Sequence, residues 1–353
     1  MEDDLPLLQS LIDAYGPCGQ EEEIQSLCRK ELEPLSHETW IDEAGNLIAK
    51  ITGEKPNLPP VRIFVHMDEI AMIVKSIQED GSLRINPLGA IYPASLGQGP
   101  LAILGDKKFL LGILSYGSIH TTKETPSTHK ILPKEYKGEG CAPFWEDVRV
   151  TTRQTKSDLA SAGVHPGTRV VIPKSRRTLC LLQDCFAGYY LDNRGALAIA
   201  IKTAKKLQKK PPVRTVYIAA TAQEELGAHG ASYAARTLPE GITIAIDVGP
   251  VSNEYQTTLS PNPIVVYQDG VATYNKSLAD QLIHCGRKIG IHPQRAVFAS
   301  YGSDASYPQS RGQTGRTSLI CFPVENTHGY EITHKNSLQL CSDLLTEYLI
   351  SSG

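Results

Sequence analysis

Val61-Arg62-Ile63-Phe64-Val65-His66-Met67-Asp68-Glu69 is the stretch on which the reading of the fold turns. A proline-rich connector, Pro56 to Pro60, leads into it. Its apolar, β-branched first half predicts a strand buried on both faces, as in a largely parallel sheet. His66 and Asp68 follow at the carboxyl end, the edge where open α/β sheets gather their ligands. Two residues apart on an extended segment, they share a side. A metal-bound imidazole usually donates its other N–H to a carboxylate that fixes its tautomer, and Asp68 is the candidate for that task. Taken alone, the pair is also what a strand-end histidine beside a turn-forming aspartate would give.

Four further stretches answer the first. Leu191-Asp192-Asn193-Arg194-Gly195 precedes a helix from Ala196, where Asp192 alone could be read as an N-cap. Val213 to Ala220 predicts a second buried strand, running into Thr221-Ala222-Gln223-Glu224-Glu225. Two adjacent carboxylates at a strand end repel each other unless a cation or proton sits beside them, or unless they open a solvated helix. Ile242 to Ile246 delivers Asp247 in the same way, and Thr317 to Phe322 leads within a few residues to His328. Three carboxylates (Asp192, Glu225, Asp247) and two imidazoles (His66, His328) at one sheet edge suffice for two zinc-like ions if one carboxylate bridges. Glu224 is then left over as a base.

Two amphipathic helices open the chain, with stripes at Leu5, Leu8, Leu11, Ile12 and at Ile24, Leu27, Cys28, Leu32. Gly16-Pro17-Cys18-Gly19 breaks between them, and two short strands around Glu43-Ala44-Gly45-Asn46 follow. From 72 to 165 the texture changes to short strand candidates, including Leu101 to Leu104 and Phe109 to Leu114, divided by Gly and Pro. This predicts an inserted small all-β module. Afterwards helices alternate with apolar strands, which argues for an α/β fold with a mixed, largely parallel sheet flanked by helices. The expected division is therefore a discontinuous α/β domain, 1–71 and 166–353, around a β domain, 72–165.

Bulk properties exclude other classes. The 353 residues are 41% hydrophobic and 21% charged, enough for a sizeable core. A formal charge of −3 provides no basic field for nucleic acid, and the Lys205-Lys206, Lys209-Lys210 run closes a helix. The acidic start Met1-Glu2-Asp3-Asp4 and the lack of a long apolar run predict neither signal peptide nor membrane span, hence a cytoplasmic address. The eight cysteines, including Cys141, have no CxxC spacing and read as reduced thiols.

The ordered motifs resemble those of the two-metal aminopeptidases of the tetrahedral-assembly type, a family that includes glutamyl and lysyl aminopeptidases and members labelled endoglucanase M. They run from Gly16-Pro17-Cys18-Gly19-Gln20-Glu21 through Asp42 with Gly45-Asn46-Leu47, His66-Met67-Asp68-Glu69-Ile70 and Asp192-Asn193-Arg194. Glu224-Glu225-Leu226-Gly227, Asp247-Val248-Gly249, Pro293-Gln294, Gly302-Ser303-Asp304-Ala305 and His328 complete them. The resemblance implies a two-metal exopeptidase core acting on peptide substrates, with two divalent ions per subunit, zinc or cobalt and otherwise manganese. It implies that Asp192 bridges the ions, with His66 and Asp247 on one and Glu225 and His328 on the other. Glu224 would be the general base and Asp68 would orient His66. It further implies a homo-oligomer, with dimers formed through the β-barrel-like domain and assembled into a dodecamer.

Two positions depart from the family pattern. His229 stands beside Gly230-Ala231 where an arginine is usual, and Glu325-Asn326-Thr327 precede His328 in place of an Arg-Tyr pair. Among the other histidines, His120, His165 and His334 read as structural or surface residues. Two other chemistries fit parts of the pattern: a two-metal deacylase or carboxypeptidase on a similar core, and glucan hydrolysis by a carboxylate pair such as Glu224 and Asp247.

Overall fold

The computed structural model describes residues 5–118 and 143–351. His120 and Cys141 lie outside the described residues; the seven described cysteines form no disulfide. The strand predicted first runs Val61–His66, with every residue buried. Its alternation separates two apolar layers. Val61, Ile63 and Val65 join a cluster with Leu8, Leu11 and Ile24 of the opening helices and with residues of the helices Leu191–Lys209, Lys276–Lys288 and Ser337–Ser351. Phe64 faces the other way, onto Ala231, Ala234 and Ala235 of the helix His229–Thr237. Fully burying a side chain such as Ile63 contributes roughly 1.5–3 kcal/mol. Arg62 is buried in the same run, and three donors offset its cost, to Thr243 Oγ1 at 3.0 Å, Ala235 O at 2.8 Å and Thr314 Oγ1 at 2.7 Å.

Four parallel strands form the centre of a mixed sheet, in the order Val216–Thr221, Val61–His66, Ile242–Pro250, Arg316–Glu325. Antiparallel strands extend it on both sides, Leu47–Ile51 and Glu38–Ile41 on one and Glu331–His334, Cys185–Gly188 and Cys180–Leu181 on the other, and Ile264–Gln268, antiparallel to Arg316–Glu325, brings in Gln294–Val297 parallel to itself. The fold is thus α/β, its sheet parallel at the centre and flanked by helices. Parallel pairing points all four central strands the same way, so their carboxyl ends share one edge. Thr221 is in register with His66, and Asp247 with Cys321.

The chain divides into two compact units, one up to Glu69 and again from Thr178, the other Ile70–Arg177. In the second, six strands close into a barrel in the order Ala71–Ile77, Leu83–Leu88, Arg149–Thr151, Phe109–Ser115, Gly99–Leu104, Arg169–Val171. Composition alone returns the chain to the α/β core at 166. The barrel instead keeps it until Arg177, because Arg169–Val171 pairs with both Ala71–Ile77 and Gly99–Leu104 and closes the ring. Three residues are too few to show a strand period. No helix among the described residues is long and apolar enough to cross a membrane.

Candidate active site

The five ligand candidates arrive from five different segments, and Glu224 shares its loop with Glu225. His66 ends its strand, and Asp247 lies within Ile242–Pro250. Glu224 and Glu225 sit in the loop between Val216–Thr221 and His229–Thr237. The apolar pattern from Leu226 to Leu238 reads as a helix, but the helix begins only at His229, because Gly227 (φ +105°) and Ala228 (φ +54°) have positive φ. Asp192 opens the helix Leu191–Lys209 but has non-helical angles, φ −78° and ψ 104°, and the helix start has no side-chain cap hydrogen bond. His328 lies in the turn between Arg316–Glu325 and Glu331–His334, with φ +61°.

The structure brings these side chains together. His66 Nε2 is 3.1 Å from Asp192 Oδ1 and 3.9 Å from Asp247 Oδ1. On the far side of Asp192, His328 Nε2 is 3.4 Å from Oδ2 and 3.8 Å from Glu225 Oε2. Asp192 therefore presents one oxygen to each imidazole. Ligand-capable atoms of His66, Asp192 and Glu225 all fall within 4.8 Å of one another. Asp68 lies beneath them, fully buried, with its backbone carbonyl 3.2 Å from His66 Nδ1 and its Oδ1 at 3.6 Å. Its carboxylate accepts the backbone N–H groups of Glu224 (2.9 Å) and Glu225 (3.1 Å) and a bond from the Cys18 thiol (3.1 Å). Asp68 thus holds the adjacent glutamates by their backbone as well as facing His66.

So many carboxylates with two imidazoles make an unbalanced site. Burial pushes Glu225 up to about 7, with His328 opposing and Asp192 adding to the rise. Burial likewise raises Glu224 and Asp247 well above the ordinary carboxylate range, and neighbouring carboxylates add to it. Asp192 goes the other way, because bonds to His328 and His66 outweigh its burial. Burial alone would lower His66, but the Asp192 and Asp68 carboxylates raise it well above its usual value. Buried like charges of this density persist only with protons or cations among them. Glu225 Oε1 is buried without a hydrogen-bond partner, an acceptor with nothing to accept from. An N/O donor set with such an oxygen fits a divalent cation.

Two further buried carboxylates belong to this neighbourhood. Asp304 accepts from the Thr221 hydroxyl through Oδ2, while Oδ1 has no partner, and burial raises it to about 7. The motif Gly302 to Ala305 drew attention to it without giving it a task. Glu331 accepts from the backbone N–H groups of Asp192 (3.0 Å) and His328 (3.1 Å). Sequence reasoning missed Glu331 because Glu331-Ile332-Thr333-His334 has the mixed polarity of a surface strand. The departures lie outside the cluster: His229 is exposed and bonds the Leu226 carbonyl at 2.8 Å, and Glu325 ends its strand paired with Ile332. His165 is exposed beside Asp106 at 3.2 Å; His334, expected at the surface, is half-buried in a strand.

Known proteins resemble this chain over nearly its whole length. The family described as M42 glutamyl aminopeptidase matches residues 45–344. The lysyl aminopeptidase of Pyrococcus furiosus is 29% identical over 362 residues, covering 98% of this chain and 97% of its own. The fold is shared with the TET aminopeptidase of a marine sediment Thaumarchaeota archaeon (TM-score 0.87, 22% identity, 99% and 96% coverage). It is shared also with the Pyrococcus horikoshii TET1 peptidase (TM-score 0.83, 24% identity, 99% of each chain). The chain belongs to the M42 glutamyl aminopeptidase family and is a metal-dependent aminopeptidase.

Proposed function

We propose that this protein removes N-terminal residues from peptides with two divalent ions, Asp192 shared between them, His66 and Asp247 holding one and Glu225 and His328 the other. The observation that carries the reading is Asp192, whose oxygens face different imidazoles at 3.1 and 3.4 Å. Zinc or cobalt suits this N/O set, and manganese is a third option. When bound, such ions polarise the scissile carbonyl and bring the pKa of a water toward neutrality. Glu224 takes the proton of the attacking water and returns it to the leaving amine. Asp68 keeps Glu224 and Glu225 in place through their backbone N–H groups and His66 in one tautomer.

The test is Glu224→Gln. Turnover of aminoacyl anilides should fall roughly 10²–10⁴-fold, with metal content by elemental analysis unchanged. Near-normal turnover removes Glu224 from the base role, and one ion per chain in the active wild type ends the two-ion reading. Faster hydrolysis of N-acetylated than of free aminoacyl anilides would overturn the aminopeptidase assignment in favour of a deacylase.

The Pyrococcus horikoshii TET1 peptidase can assemble into a tetrahedron or a large octahedral shell. We infer that this chain also forms a homo-oligomer, dimers joined through the barrel and built into a dodecamer. An outward row on one barrel strand supports this: Phe109, Leu111 and Ile113, exposed at 62%, 65% and 47%.

A further inference from the structure

Glu331 carries a task that the reaction itself does not explain. Its side chain is 1% exposed and lies between two segments that are distant in sequence. Oε2 accepts the N–H of Asp192 at 3.0 Å and Oε1 accepts the N–H of His328 at 3.1 Å. Asp192 departs from helical geometry, and His328 sits at φ +61°, a conformation that a β-carbon-bearing residue keeps only when its surroundings hold it. Glu331 is also positioned from below, since its own backbone pairs with Gly188 of the strand that leads into the Asp192 segment. One buried carboxylate therefore bonds the backbones of both segments and sets their spacing.

We propose that Glu331 is a positioning residue for the metal centre, clamping the Asp192 and His328 backbones so that their side chains meet the ion between them preorganised. The proposal rests on the assignment of Asp192 and His328 as ligands. A carboxylate suits the position because both of its oxygens accept. A glutamine of the same shape presents an NH2 group to one of the two N–H donors and so releases one loop. A residue that supports ligands in this way typically changes metal affinity 10–100-fold when altered.

The experiment is a titration of metal-free protein with cobalt(II), read by visible absorption, on the wild type and on Glu331→Gln, Thr333→Val, His328→Ala and Asp192→Asn. Thr333 lies on the same strand and bonds the Pro323 carbonyl at 2.8 Å, so its substitution loosens that strand without touching the clamp. Glu331→Gln should weaken the affected ion at least 10-fold, with kcat recovering at saturating cobalt and circular dichroism unchanged, while Thr333→Val binds as the wild type does. Wild-type affinity in Glu331→Gln, or an equal loss in Thr333→Val, overturns the clamp. Should Glu331→Gln fail to fold, Glu331→Asp, too short to reach both donors, is titrated in its place against the same outcomes. Wild-type affinity in both His328→Ala and Asp192→Asn overturns the ligand assignment instead, a result distinct from failure of the clamp.

Discussion

Buried carboxylates are the recurrent unit of this site, and their individual titration has a measurable consequence. Glu225 and Asp304 are raised to about 7 and Glu331 to about 8, each chiefly by burial. A carboxyl whose folded pKa exceeds its unfolded value takes up a proton on folding. Its stabilisation is complete below the unfolded pKa, near 4.5 for glutamate and 3.8 for aspartate, and is lost as pH rises through the folded value. His66, raised by its carboxylate neighbours, acts in the same direction, and Asp192, lowered, changes stability only in stronger acid. The melting temperature of metal-free protein should therefore fall between about pH 5 and about pH 8, by scanning calorimetry. The metal-loaded protein should stay flat across that window, and a flat metal-free profile would contradict the charge balance described. At this scale the ligand candidates were legible because each follows an apolar strand or opens a helix. Glu331 was not, since what marks it is two backbone donors 139 and 3 residues away.

The loop from Ala222 to Gly230 is the element on which the glutamates depend. Asn46, buried in the turn before Leu47–Ile51, the strand that pairs with Val216–Thr221, accepts the Ala222 N–H at 2.9 Å and donates to the Gly230 carbonyl at 2.9 Å, stapling both ends of the loop. Gly230 permits this approach. A β-carbon there would meet Asn46 Oδ1 at 2.2 Å, the Ala222 carbonyl oxygen at 2.4 Å and the Ala222 nitrogen at 2.6 Å. Gly230→Ala should cost about 1–3 kcal/mol by chemical denaturation and should lower metal affinity together with stability, since the displaced backbone carries Glu225. Loss of neither would show the loop to be independent of the staple. Strand and helix types here were readable from period and β-branching. The start of His229–Thr237 was not, because Leu226 continues the apolar pattern while two residues of positive φ interrupt the backbone. Arg62 lies inside a run that reads as buried on both faces, and what the run does not show is that Thr243, Thr314 and the Ala235 carbonyl make its burial tolerable.

For the whole molecule, the exposed row on the barrel makes the assembly testable. Light scattering of the wild type should give a multiple of the 38.5 kDa chain. Leu111→Lys should shift it toward smaller species without changing the barrel's own core, since Leu111 is 65% exposed. A monomeric wild type would end the assembly reading. The sequence by itself determined the order of elements, the α/β class, the presence of a β insert and which polar residues accompany buried strands, because apolar periodicity is a local property of the chain. Only the tertiary structure decided that Asp192 stands between the two imidazoles, that the barrel keeps the chain until Arg177, and that Asp68 and Glu331 grip the backbone around the site. These depend on strand order and on distances across loops, which pairing and packing set and no local pattern encodes.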